Sequence, residues 1–293
     1  VPGLPVHLIE AQLLNGVALG SILALVALGL TIIFGLLGFV NFAHGGLFAV
    51  GAYAGWLAYT RYDSFVLGIV AAIAVTFVVG IVIERLLIRL YYRRPKEDQI
   101  LVTFGLGIVL VEIVRALFTG QNKLVPTPSW ASGAVQIADL VYPQYRLDVV
   151  GIVAITLIVV WAIIFKTRLG LIVRAGIDDA LIVEMLGIDI GRAFMLVFAL
   201  GACVAGLAGF VDAPILALTP DVGTAVLVQS LVVIVIGGVG SFGGAIVGGI
   251  VAGEIISLTS VFAPDWAQVA LYIAMALVLL VRPQGLLGVV GRA

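Results

Sequence analysis

Nine stretches of this chain are apolar and nearly free of charge: about residues 13–34, 44–60, 65–88, 99–118, 149–165, 193–211, 226–240, 244–261 and 266–281. A helix needs about 20 such residues to cross a hydrocarbon core. Of the 293 residues, 63% are hydrophobic and 11% charged, where a soluble domain carries about 25% charged residues. No soluble fold of this size hides so much apolar surface. The expected fold is an all-α polytopic integral membrane protein of about 8–9 transmembrane helices, forming one transmembrane domain over residues 1–293. Its first half covers about 8–118, an external loop 119–148 and its second half about 149–283. Segments 44–60 and 226–240 are short. Either is readable as a broken or re-entrant helix, which is tolerated at depth where protein or a cavity surrounds the backbone.

Charge gathers where the chain leaves these stretches. Residues 84–98 hold eight charged residues and residues 166–192 another eight. Five of the fifteen Lys and Arg fall in the first cluster, four in the second, and Arg282 and Arg292 follow the last span. Positive charge favours the cytoplasmic side, so nine crossings put the N-terminus outside and the C-terminus inside. No basic n-region or cleavage signal precedes the first apolar run, so no removable signal peptide is expected. The net charge of −1 gives no reason to expect nucleic acid. A lone Cys203 excludes an internal disulfide, and His7, His44 and Cys203 lie too far apart to suggest a metal site. No cofactor is expected. Segment 119–148 is polar, contains three prolines and reads as a loop with some ordered turns. Tyr53, Trp56, Tyr59, Tyr62, Trp130, Tyr142 and Tyr145 fit interfacial aromatic belts.

Two apolar stretches share one glycine spacing, Gly-Gly-x4-Gly-x3-Gly. Gly45, Gly46, Gly51 and Gly55 carry it in the first, and Gly243, Gly244, Gly249 and Gly253 in the second. Paired, glycine-interrupted hydrophobic segments in two halves of a chain point to a transport site built on an internal repeat. The plainer reading of each glycine is close helix packing. Neither stretch holds a charge before Glu254. Interrupted helices expose N–H groups that attract a carboxylate and carbonyls that attract an ammonium. The expectation is a pathway between the two segments for a small zwitterionic or neutral solute. It would use Asn41, His44, Gly45 and Gly46 in the first, and Gly238, Gly240, Ser241, Gly243 and Gly244 in the second. Against this, Asn41 reads equally as a helix cap, His44 as a hydrogen bond pinning the interruption, and Ser241 as bonding its own helix.

Residues 174–192 have a grammar of their own. Asp178 or Asp179 can N-cap a short helix over about 179–186, with Ala180, Leu181, Val183 and Leu186 as apolar members. Gly187 is placed for the left-handed C′ position, and Asp189 can cap the next span from about Ile190. A short amphipathic helix between Arg174 and Arg192 suits a cytosolic partner, or is a surface helix anchored by snorkelling arginines.

Four stretches resemble one family, the LivH-type permeases of ABC importers for branched-chain amino acids, with close relatives for urea and short amides. They are LLNGVALGSILALVALGLTIIFGLLGFVNFAHGGLFAVGAY at 13–53, LGIDIGRAFMLVFALGACVAGLAG at 186–209, VVIVIGGVGSFGGAIVGGIVAGE at 232–254 and VLLVRPQGLLG at 278–288. The resemblance implies an energy-coupled importer of the inner membrane. Such a permease pairs with a LivM-like partner or a second copy, above two cytosolic ATPase subunits, and takes substrate from an external binding protein. It also implies that 174–192 contacts the ATPase, through Asp178, Asp179, Glu184, Leu186, Gly187 and Arg192. This chain departs from the family in placing Leu181, Ile182 and Val183 where small residues are usual. None of its lysines (Lys96, Lys123, Lys166) follows a glycine, so it has no phosphate-binding P-loop, and ATP hydrolysis would belong to another chain.

Glu112 and Arg115, three residues apart, are expected to pair on one helix. Asp212 and Asp221 fall in or beside an outer loop, which reads as solvated or as a dock for the binding protein. Competing classes are a urea or amide permease of the same family and a stand-alone channel or proton-driven transporter. Glu254 and His44 are the main ionisable groups available for proton coupling. An intramembrane enzyme lacks HExxH and GxSxG signatures.

Overall fold

The computed structural model describes residues 6–92, 94–137 and 140–288, with the side chains of His7 and Asp178 excepted. Arg93 and Arg292 of the basic clusters lie outside the described residues. The helices are α1 (Val6–Leu37), α2 (His44–Tyr62), α3 (Phe65–Leu86), α4 (Lys96–Phe118), α5 (Gln144–Lys166), α6 (Arg168–Asp178), α7 (Ala180–Met185), α8 (Ile190–Asp212), α9 (Val222–Gly237), α10 (Phe242–Phe262) and α11 (Ala267–Val281). Strands β1 (Ala134–Ile137) and β2 (Leu140–Pro143) pair antiparallel, with Ala134 opposite Pro143. Segment 119–148 thus holds a small hairpin and a 3₁₀ turn at Ser129–Ala131, and its last residues already belong to α5.

Seven helical stretches are long and apolar enough to cross a membrane: Leu8–Leu37, Phe65–Leu90, Lys96–Phe118, Gln144–Lys166, Ile190–Asp212, Phe242–Phe262 and Pro264–Val281. The two that fall short are the two short segments of the sequence reading. The 16 residues of α9 span about 24 Å, less than a hydrocarbon core of about 30 Å. At 19 residues α2 is long enough, but glycine, tyrosine and tryptophan dilute its hydropathy. Eleven of its residues are buried. A helix wrapped in protein needs small, close-packing residues rather than lipid-compatible ones.

Packing divides the chain into two compact units. Leu28–Val125 and Thr156–Leu227 form one, built around α2, α3 and α8. There a Cβ on Gly51 would overlap the Gly206 Cα, and one on Gly209 the Phe48 carbonyl. Gly55 and Gly68 each give room to the Phe210 ring, and Gly206 to Thr76 of α3. Val1–Ala27, Pro126–Ile155 and Val228–Ala293 form the other unit. In it Gly249 of α10 meets the Ala24 backbone of α1 at 2.5 Å from a would-be Cβ, Gly253 meets Gly16 and Gly20, and Gly244 meets Gly237 of α9. The repeated motif therefore does one job in each unit: it brings helix backbones into contact.

Candidate functional site

The helix breaks lie just before the glycine motifs, not within them. At the first, the chain leaves α1 through Gly38, whose φ is +62°, and α2 starts only at His44. Non-helical backbone at this depth must be satisfied by side chains. Thr103 of α4 accepts the Phe42 N–H at 3.0 Å while its own hydroxyl donates to the Gln99 carbonyl at 2.8 Å. Asn41 Oδ1 accepts the Ala43 N–H at 3.1 Å. Gln99 Nε2 in turn holds the carbonyls of Tyr91 and Arg94, each at 3.1 Å. Asn41 and His44 are fully buried, and the His44 ring lies 2.8 Å from a would-be Cβ on Gly29. Asn41 Nδ2 has no partner among the described residues. The N–H groups of Gly45 and Gly46, in the first turn of α2, have none either, as a helix start leaves them.

The second break spans residues 238–241. Gly238 and Gly240 have φ of +110° and +77°, conformations that cost L side chains dearly. Ser241 caps α10, its Oγ accepting the Gly244 N–H at 3.0 Å. The carbonyls freed at the end of α9 are taken: Leu286 N–H donates to Ile236 at 2.8 Å and Leu287 N–H to Gly237 at 2.9 Å. This is the structural task of the C-terminal signature, and Gly285 at φ +81° packs directly on Gly238 to allow it. Of the backbone groups expected to face a solute here, these two carbonyls are therefore occupied.

Residues 168–192 form two helices and a capped turn. Asp178 closes α6; its side chain lies outside the described residues. Asp179 is the cap of α7, its Oδ1 accepting the N–H of Leu181 at 2.9 Å and of Ile182 at 3.1 Å. Gly187 adopts φ +78° and donates to the Glu184 carbonyl at 2.9 Å. Asp189 caps α8 through the Arg192 N–H at 3.0 Å, and its other oxygen pairs with the Arg192 guanidinium at 2.8 Å. Only Val183 of α7 is buried, while Leu181, Ile182, Met185 and Leu186 are exposed. Behind α7 lies a cleft of about 880 Å³, bounded by Leu36, Arg89, Tyr92, Glu184 and Phe194. The Tyr92 hydroxyl donates to Glu84 Oε1 at 3.3 Å. Burial, with the Glu84 charge beside it, pushes Tyr92 far above the usual phenol range, so it stays a neutral donor.

Several placements were not legible beforehand. Asp212 is buried at 3% exposure rather than solvated, and its Oδ1 has no partner among the described residues. The Glu112–Arg115 pair is present at 2.6 Å and extends to Asp221 at 2.7 Å. A 160 Å³ cleft joins Glu112 and Asp221 to Gly45 and Gly46. Glu254 lies against Gly16, where a Cβ would sit 2.5 Å from its Oε2. No sequence spacing links these partners, because they come from different helices.

A multi-pass permease fold accounts for the two protein-wrapped breaks, the crossing-length helices and the exposed turn between capped helices. The chain belongs to the family described as branched-chain amino acid transport system / permease component, which matches residues 12–280. With its apolar helices, this makes it a multi-pass protein of the inner membrane. It is 28% identical over 291 residues to the high-affinity branched-chain amino acid transport system permease protein BraD of Pseudomonas aeruginosa, covering 94% of this chain and 95% of that one. The corresponding LivH of Escherichia coli K12 is 28% identical over 293 residues, at 94% of each chain. A probable LivH permease of Methanocaldococcus jannaschii is 25% identical over 304 residues, at 96% and 93%. No solved structure matches.

Proposed function

We propose that this chain is the membrane subunit of an ATP-driven importer for branched-chain amino acids, acting with a LivM-like partner permease or a second copy. The match of residues 12–280 to a permease family of that transport class carries the reading. Hydrolysis falls to two cytosolic ATPase subunits, in keeping with the missing P-loop lysine, and an external binding protein delivers the solute. The exposed apolar side chains of α7, set between the caps at Asp179 and Gly187, are the contact with the ATPase. Asp178, Glu184, Leu186 and Arg192 complete that segment. Asn41, His44, Gly45 and Gly46 belong to the solute pathway, as do Gly238, Gly240, Ser241, Gly243 and Gly244.

The complex reconstituted in vesicles with its ATPases and binding protein is expected to accumulate labelled leucine only with ATP inside the ATPase compartment. Urea should not accumulate. Leucine uptake that persists without the ATPase subunits would remove the importer reading. Within that complex, Asn41→Ala and His44→Ala are each expected to lower leucine uptake about 10-fold, the effect of one buried polar contact. Unchanged uptake in both would take these residues off the pathway.

A further inference from the structure

The outer half of α4 carries charges that a lipid-facing helix avoids. Arg115 Nη1 lies 2.6 Å from Glu112 Oε1, and its Nη2 2.7 Å from Asp221 Oδ1, just before α9. One guanidinium holds two carboxylates, which leaves one negative charge unmatched. The side chains are 41% exposed at Arg115, 54% at Glu112 and 68% at Asp221. Ionisable groups in membrane spans turn toward water-filled cavities or other protein. The face they occupy is therefore a wet one.

The cleft beside them holds about 160 Å³. Glu112 and Asp221 line it together with the rings and branches of Phe104 and Ile108. Gly45 and Gly46 line it too, and their N–H groups have no acceptor among the described residues. Three independent features thus converge on one ligand chemistry: spare negative charge, an apolar wall and two free amide donors. We infer that this cleft is a subsite for one hydrophobic α-amino acid, holding its ammonium at Glu112 and Asp221, its carboxylate at the Gly45 and Gly46 amides and its side chain against Phe104 and Ile108. The unmatched charge repels simple anions, and an apolar wall gives nothing to urea or a short amide.

The inference rests on the importer reading, and the test separates the two. Labelled leucine uptake is measured with the reconstituted complex. Glu112→Gln and Asp221→Asn are each expected to raise KM for leucine about 10-fold, the size of one charge-assisted hydrogen bond. Glu112→Asp should stay near the unaltered protein, since it keeps the charge. Ile108→Trp, at a position 51% exposed, should narrow the cleft without disturbing a core, and lower uptake of leucine more than of alanine. Wild-type KM in Glu112→Gln, or unchanged leucine-to-alanine preference in Ile108→Trp, overturns the subsite while wild-type uptake still supports the importer. If the unaltered complex moves no leucine, both readings fall.

Discussion

Gly51→Ala is expected to leave little folded permease. The new methyl group would overlap the Gly206 Cα, and both atoms belong to helix backbones, so no side chain can rotate out of the way. Overpacking a core costs about 1–3 kcal/mol when side chains can yield. Here α2 and α8 must part, and Gly206 is also pressed on Thr76 of α3, so the loss is expected at or above that range. The control is Gly105→Ala on α4, where a Cβ meets nothing within 4 Å. That change should be neutral, or stabilise by up to about 1 kcal/mol, because alanine is the better helix former. Thermal melting of the detergent-solubilised proteins compares them directly. A Gly51→Ala midpoint equal to that of Gly105→Ala would show that the helices do not meet here.

The double change Leu181→Asp with Met185→Asp is expected to separate the permease from its ATPase subunits without unfolding it. The two side chains are 60% and 76% exposed, whereas Val183 on the same helix is 4% exposed. A contiguous exposed apolar surface in a soluble-facing segment marks an interaction site. Anchors at such sites are worth about 2 kcal/mol or more each, so copurification of the ATPases should fall roughly 30-fold or further. The melting midpoint of the permease alone should hold. Full ATPase recovery with the double variant would exclude α7 as the contact.

The coupling segment shows how far local chemistry carries. Its caps involve hydrogen bonds over two or three residues, from Asp179 to Leu181 and Ile182 and from Asp189 to Arg192. Such bonds are set by neighbours in the chain. Even so, the choice of Asp179 over Asp178 followed from where α6 ends, and α6 itself was not foreseen. At the breaks the limit is sharper. The sequence marked the right neighbourhoods by their glycines, yet the interruptions fall at residues 38–43 and 238–241, ahead of the motifs. Thr103, 61 positions from Phe42, satisfies one, and Leu286 and Leu287 satisfy the other.

The residues alone determined that this chain lives in a membrane, which of its segments are too short or too polar to cross plainly, and which side chains cap α7 and α8. Each of those follows from transfer to lipid or from hydrogen bonds within one helical turn. Tertiary structure decided the rest. It set which backbone each glycine touches, buried Asp212, joined Arg115 to Asp221, and gave the C-terminal signature the freed carbonyls of α9. Those outcomes depend on which helix faces meet, and helices far apart in the chain leave no periodicity that records the meeting.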